Sequence, residues 1–116
     1  MSEYLLDTNI ASYIIKGHTA VRRRLAAIPM DDIAISSVTE GELRYGVARL
    51  PDHARLKTIV EEFLIRVNVQ PWDSVAARCH GPLRAGLEAG AAGLANLDTM
   101  IAAHALARGS ILITHD

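Results

Sequence analysis

Aromatic residues are scarce in this chain of 116 residues: one Trp, three Tyr and one Phe. They are Tyr4, Tyr13, Tyr45, Phe63 and Trp72, too few and too scattered for the aromatic sheet face on which single-stranded nucleic acid stacks. Cysteine is nearly absent as well. Cys79 alone excludes an internal disulfide and a multi-cysteine zinc site, and it suits a reducing cytosol. No stretch approaches ~18 apolar residues, and no basic start runs into an apolar segment, so neither a membrane span nor a secretory leader is expected. Charge of one sign is lacking too. Twelve Lys and Arg against thirteen Asp and Glu leave a net charge of −1, which does not by itself mark a nucleic-acid binder, although the signs can be segregated in space. What remains is ample core material: 50% of residues are hydrophobic and 22% charged, which excludes a disordered tail or a collagen-like fibre. The expectation is a single cytoplasmic domain over residues 1–116 with no membrane association.

Short apolar runs alternate with helical patterns. Tyr4-Leu5-Leu6 reads as a buried strand ending at Asp7, followed by a short helix from Asn9 to Lys16 that stops near Gly17. Thr19 offers an N-cap to a helix through Ala27, ended by Pro29. Ile33 to Ser36 reads as a second strand. Ser37 and Glu40 have capping-box spacing, which starts a helix running to about Leu50. A helix over His53 to Val67, a weak strand to Gln70, and a helix capped by Asp73 and interrupted at Gly81-Pro82 come next. Gly90 to Gly93 is loop-like, Asn96 caps an alanine-rich helix ended by Gly109, and Ile111 to Thr114 is a last strand. Strands separated by helices predict an α/β fold with a parallel sheet covered on both faces. Ligands then sit beyond the carboxyl ends of the strands.

Four acids fall where that rule directs attention. Asp7 follows the first strand, Asp116 follows the last after His115, and Asp98 lies in the first turn of the last long helix. Glu42 lies on the helix after strand two, one turn before Gly46, and the missing side chain at Gly46 suggests close helix packing on that face. Each also has an ordinary reading. Asp7 can cap a helix, Asp98 complements a helix dipole, Glu42 is no better placed than Glu40 by spacing alone, and Asp116 is terminal. Should the four converge, their mutual repulsion calls for a cation, and an all-oxygen set favours Mg²⁺ or Mn²⁺ over zinc. Such ions activate water, orient a phosphodiester and stabilise the departing alkoxide. Setting those four aside leaves nine acids against twelve bases, a balance open to a polyanionic substrate.

The segments LLDTN (5–9), ISSVTEGELRYG (35–46), LDTMIAAHALARG (97–109) and ILITHD (111–116) together resemble the PIN domain, and more narrowly the VapC toxins of bacterial toxin–antitoxin pairs. The resemblance implies a PIN-like three-layer α/β fold with a mainly parallel central sheet flanked by helices. Family members usually continue past the position of Asp116 into a fifth strand, so about four strands are expected here, the last with an uncovered edge. The implied activity is a Mg²⁺- or Mn²⁺-dependent endoribonuclease toxin. Asp7, Glu42, Asp98 and Asp116 are implied as the catalytic and metal-binding acids, with Asn9, Ser37 and Thr114 orienting them. SYIIKG (12–17) and RAGLEAG (84–90) resemble the subgroup that cuts initiator tRNA. A VapB-like antitoxin and a homodimer are further implications. Asn96-Leu97 departs from the family, which places Pro and an aromatic before the Asp.

Other signals carry less. Arg22-Arg23-Arg24 is a basic helical run that is either a solvated face or a contact for RNA phosphates or a partner, and Arg84 is a further candidate. Ser37 has no nucleophile-elbow context and the histidines form no HExxH pair, which removes serine-hydrolase and zincin readings. The rival reading is a non-catalytic PIN-like module whose acidic pocket only receives a partner's Arg.

Overall fold

A computed structural model of the chain describes residues 2–90 and 96–114. The elements run β1 (Tyr4–Leu6), α1 (Thr8–Ile15), α2 (Thr19–Leu25), a 3₁₀ turn (Met30–Asp32), β2 (Ile33–Ser36), α3 (Ser37–Ala48), α4 (Ala54–Arg66), β3 (Asn68–Gln70), α5 (Ser74–Ala89), α6 (Asn96–Arg108) and β4 (Ile111–Ile113). The four strands form one parallel sheet in the order β3-β2-β1-β4. Chain direction across the sheet therefore reverses between β1 and β4.

Side-chain alternation along the strands decides which helices cover which face. Leu6, Ile33 and Ile35 point to one side, where they pack with Ile10, Ala11 and Ile15 of α1, Val21 of α2 and Val60 of α4. Leu5 and Ala34 point to the other, against Ile101 and Ala105 of α6. α3 meets both layers, with Leu43 and Val47 in the first cluster and Val38 against the second. The result is a three-layer α/β arrangement, as the PIN-like expectation required.

Local chemistry sets the helix ends. Gly17 (φ +78°) and Gly109 (φ +64°) adopt the left-handed backbone that closes α1 and α6. Each is flanked by the paired Schellman bonds, His18 N–H to the Tyr13 carbonyl at 2.8 Å and Ser110 N–H to the Ala105 carbonyl at 2.9 Å. Asp73 caps α5 through the Val75 and Ala76 N–H groups. That helix runs toward Glu88 as expected and continues uninterrupted through Gly81-Pro82. The loop expected at Gly90 to Gly93 falls mostly on residues 91–93, outside those described.

Leu5 is fully buried between the sheet and α6. Leu5→Ala is expected to cost about 2–5 kcal/mol, read as a lower urea midpoint at unchanged m-value.

Candidate functional site

The reversal point between β1 and β4 is where a doubly covered parallel sheet opens a crevice at its carboxyl edge. Asp7 stands there. Its backbone N–H donates to the Ile113 carbonyl at 3.0 Å, which ties it to the end of β4. Its Oδ1 accepts the Ile10 N–H at 2.8 Å, so the capping reading of Asp7 is correct as far as it goes. The residue is only 8% exposed, and Oδ2 takes no hydrogen bond from the described residues. Capping engages one oxygen and, among the described residues, leaves the other without a hydrogen bond.

The neighbouring hydroxyl links this point to α3. Thr8 Oγ1 and the buried Thr39 Oγ1 lie 3.2 Å apart in a hydrogen bond. Glu42 follows Thr39 by three residues, hence on the same side of α3. It is half-buried, makes no hydrogen bond or ion pair among the described residues, and lines an open depression with Val38, Gly41 and Tyr45. Glu40, its competitor by spacing, is held by Arg44 at 3.1 Å, and Arg44 also binds Glu61. The structure thus leaves Glu42 as the unpaired acid of α3. Gly46 does not serve close packing: a Cβ there would meet nothing within 4 Å.

α6 brings Asp98 to the same edge. Its last turn is fixed at the opposite, amino edge, where Arg108 pairs with Glu3 at 2.8 Å, so its first turn points beyond the carboxyl ends. Arg108, together with Ser110, holds the Glu3 carboxyl below the usual carboxylate range. Asp98 is exposed in that first turn. Asn9, in the first turn of α1, and Thr114, just past β4, are exposed at the same end of the sheet. Asp116 lies outside the described residues.

Ser37 does something the sequence did not indicate. The cap of α3 is Ser36, whose Oγ accepts the Val38 N–H at 3.1 Å, and Ser37 is the first helical residue. Its Oγ accepts the Trp72 backbone N–H at 3.0 Å, while the Trp72 indole N–H donates to the Met100 carbonyl of α6 at 2.9 Å. The wholly buried Ser36 also meets His104 Nδ1 of α6 at 2.8 Å, and the Pro71 carbonyl lies close enough to the ring to act on it. The start of α3, the first half of α6 and the segment after β3 are therefore clasped together. Trp72 counted in the sequence only as one of few aromatics. Strand period, which places Ser36 on the face of Ala34 and hence toward α6, is the signal that identifies Ser36.

The basic candidates divide. Arg22 donates through Nε and Nη2 to the Ile14 carbonyl at 3.1 and 2.8 Å, so it secures the end of α1. Arg84 pairs with Glu88 at 3.0 Å. Arg23 and Arg24 are exposed and make no bond or ion pair among the described residues. A second groove, about 390 Å³ between α1, α2 and α4, is lined by Ile14, Leu25, Ile28, Met30 and Phe63 and carries none of the candidate acids.

Every candidate donor at the carboxyl edge is a carboxylate oxygen, which fits a hard divalent cation, and the unused oxygen of buried Asp7 fits the same partner. Among the described residues no three Asp, Glu, His or Cys side chains gather closely enough to hold an ion by themselves. No helix among them is long and apolar enough to cross a membrane.

Known proteins place this geometry. The profile of the PIN domain matches residues 4–116. The chain is 35% identical over 116 residues to the tRNA(fMet)-specific endonuclease VapC of Shigella flexneri, covering 100% of this chain and 88% of that protein. Among solved structures it is similar to DNA-bound VapBC from Salmonella typhimurium, with TM-score 0.88, 34% identity, and 97% and 85% of the two chains covered. VapBC2 from Rickettsia felis, bound to a promoter DNA fragment, gives TM-score 0.86 at 32% identity, over 97% and 86% of the two chains. The chain shares its fold with these proteins along nearly all of its sequence and belongs to the PIN-domain family, within its VapC branch.

Proposed function

We propose that the chain is a divalent-metal-dependent endoribonuclease toxin that hydrolyses RNA phosphodiester bonds, with tRNA as its substrate. The observation that carries the reading is the buried Asp7 carboxylate at the sheet's reversal point, one oxygen capped and the other without a hydrogen bond from the described residues. Family membership supports the reaction class, and the name of the Shigella flexneri relative supports tRNA.

Asp7, Glu42, Asp98 and Asp116 would hold Mg²⁺ or Mn²⁺ together; the first three do not gather closely enough to do so by themselves. When bound, such an ion supplies charge stabilisation and lowers the pKa of water. The chain's own contribution is placement. The cap bond fixes the Asp7 side chain, so the oxygen left over faces one way. The Thr8–Thr39 bond holds the Glu42 turn against the end of β1. Asn9 and Thr114 offer polar groups at that edge, and Ser37 contributes through Trp72, by fixing the start of α3. In hydrolysis a water oxygen bonds to phosphorus as the bond to the departing ribose oxygen breaks, and that oxygen takes up a proton. No covalent enzyme intermediate is needed. Arg23 and Arg24 are free to meet RNA phosphates or a partner; Arg22 and Arg84 would first exchange their internal bonds.

A cognate VapB-like antitoxin that covers the acidic edge is the partner we assign, as two of the similar structures are VapBC assemblies. A homodimer and a cytoplasmic setting complete the proposal.

Two measurements test it. Asp7→Asn, which keeps a competent cap, should remain folded yet lose tRNA cleavage by more than the ~10–100-fold that removal of an outer-shell partner costs; a folded variant that cleaves at the wild-type rate contradicts the assignment. Chelation should abolish cleavage and Mn²⁺ restore it. Mn²⁺ should also raise the melting temperature of the wild type and leave that of Asp7→Ala unchanged. Metal-indifferent antitoxin binding with no cleavage would instead identify a non-catalytic module.

A further inference from the structure

His104 is 1% exposed, yet it carries two polar ring atoms into the interior between α6 and the sheet. The Ser36 hydroxyl and His104 Nδ1 lie 2.8 Å apart. The Pro71 carbonyl acts on the ring and can only accept, so the tautomer that suits both neighbours carries its hydrogen on Nε2 and takes the Ser36 hydroxyl at Nδ1. Ser36 Oγ in turn accepts the Val38 N–H, an otherwise orphan donor of α3. The relay runs from the first turn of α3 through Ser36 and His104 to the segment that also carries Trp72. Glu42 lies six residues beyond Ser36, and Asp98 six residues before His104.

We propose that neutral His104 is a positioning residue for the acids at the carboxyl edge: it keys α3, which bears Glu42, to α6, which bears Asp98, and its protonation undoes that register. The inference rests on the ribonuclease reading above. Protonation places a hydrogen on Nδ1, so Ser36 Oγ would receive two donors while its own hydrogen loses its acceptor in a fully buried position. The charged groups that act on the ring are Arg108 on its own helix, Asp73 at the cap of α5 and Glu3 before β1. Burial is the largest influence and holds His104 below the ordinary value of 6.5; Arg108 adds to this, while Asp73 and Glu3 oppose it. The sign follows from linkage. With the folded value below the unfolded one, the stabilised register is fully present above about 6.5 and is lost as pH falls through the lower folded value.

The test uses the full chain with His104→Asn, His104→Phe and Ser36→Ala, each checked for folding by circular dichroism. Mn²⁺ affinity is measured by calorimetry, and kcat and KM for tRNA cleavage are measured between about pH 5 and 8. His104→Phe and Ser36→Ala should each weaken Mn²⁺ binding and lower kcat about tenfold near neutral pH, with KM for RNA little changed. An asparagine amide oxygen can replace Nδ1 as acceptor but cannot take a proton. His104→Asn should therefore recover most of the Mn²⁺ affinity lost in His104→Phe and lose the histidine limb of its pH profile. Wild-type affinity and pH profile in folded Ser36→Ala would overturn the proposal, as would persistence of that limb in His104→Asn. Should His104→Phe fail to fold, these other two variants decide. A wild type that binds Mn²⁺ with the expected pH limb but cleaves no RNA sinks the ribonuclease reading and leaves the positioning role of His104 standing.

Discussion

An ionised carboxylate resists leaving water, and Asp7 has largely left it. Its single cap bond to Ile10 accounts for one oxygen at the seam of β1 and β4, where two parallel strands end side by side. That seam exists because the chain crosses to opposite faces on either side of β1: the helices after β1 and β2 cover one face, and α6 before β4 covers the other. The fold thus generates the crevice in which, in the proposed function, a divalent cation would be held.

Keeping the edge in register falls to polar contacts more than to the apolar core. The two core clusters fix the layers. Ser36, Ser37, Trp72 and His104 add directional bonds between α3, α6 and the segment after β3, among groups that are largely shielded from water. Buried polar networks of this kind specify one arrangement because each broken bond strands a partner. At the other edge, the Glu3–Arg108 pair is partly solvated, and pairs of that kind contribute little to stability. Its use is geometric: it fixes which end of α6 faces the acids.

Much of this was legible in the chain. Apolar triplets bounded by turn residues marked β1, β2 and β4, and the residue after each strand led to Asp7 without any coordinates. Asp73 capped its helix as expected, and Gly17 and Gly109 ended theirs. Glu42 against Glu40 was open from spacing; the ion pair to Arg44 separates them. What failed was local ambiguity and distance. Capping-box spacing pointed to Ser37 as the cap of α3, whereas the cap is Ser36, which only the face of β2 singles out. Gly46 suggested close packing that does not occur, because its side of α3 is open. The clasp joins residues far apart in sequence, and no periodicity announces such a pairing. Arg22 looked like part of a solvated basic run, whereas its target is the Ile14 carbonyl, a group that every residue carries and no pattern reveals.

If Asp7 faces a cation shared with the other acids of the carboxyl edge, anomalous diffraction from crystals soaked in Mn²⁺ will reveal it. A manganese peak is expected on the Asp7 oxygen not engaged by Ile10, with Asp98 or Glu42 in the same coordination sphere. Saturating Mn²⁺ with no peak at Asp7, or a peak held by groups elsewhere on the molecule, would contradict it.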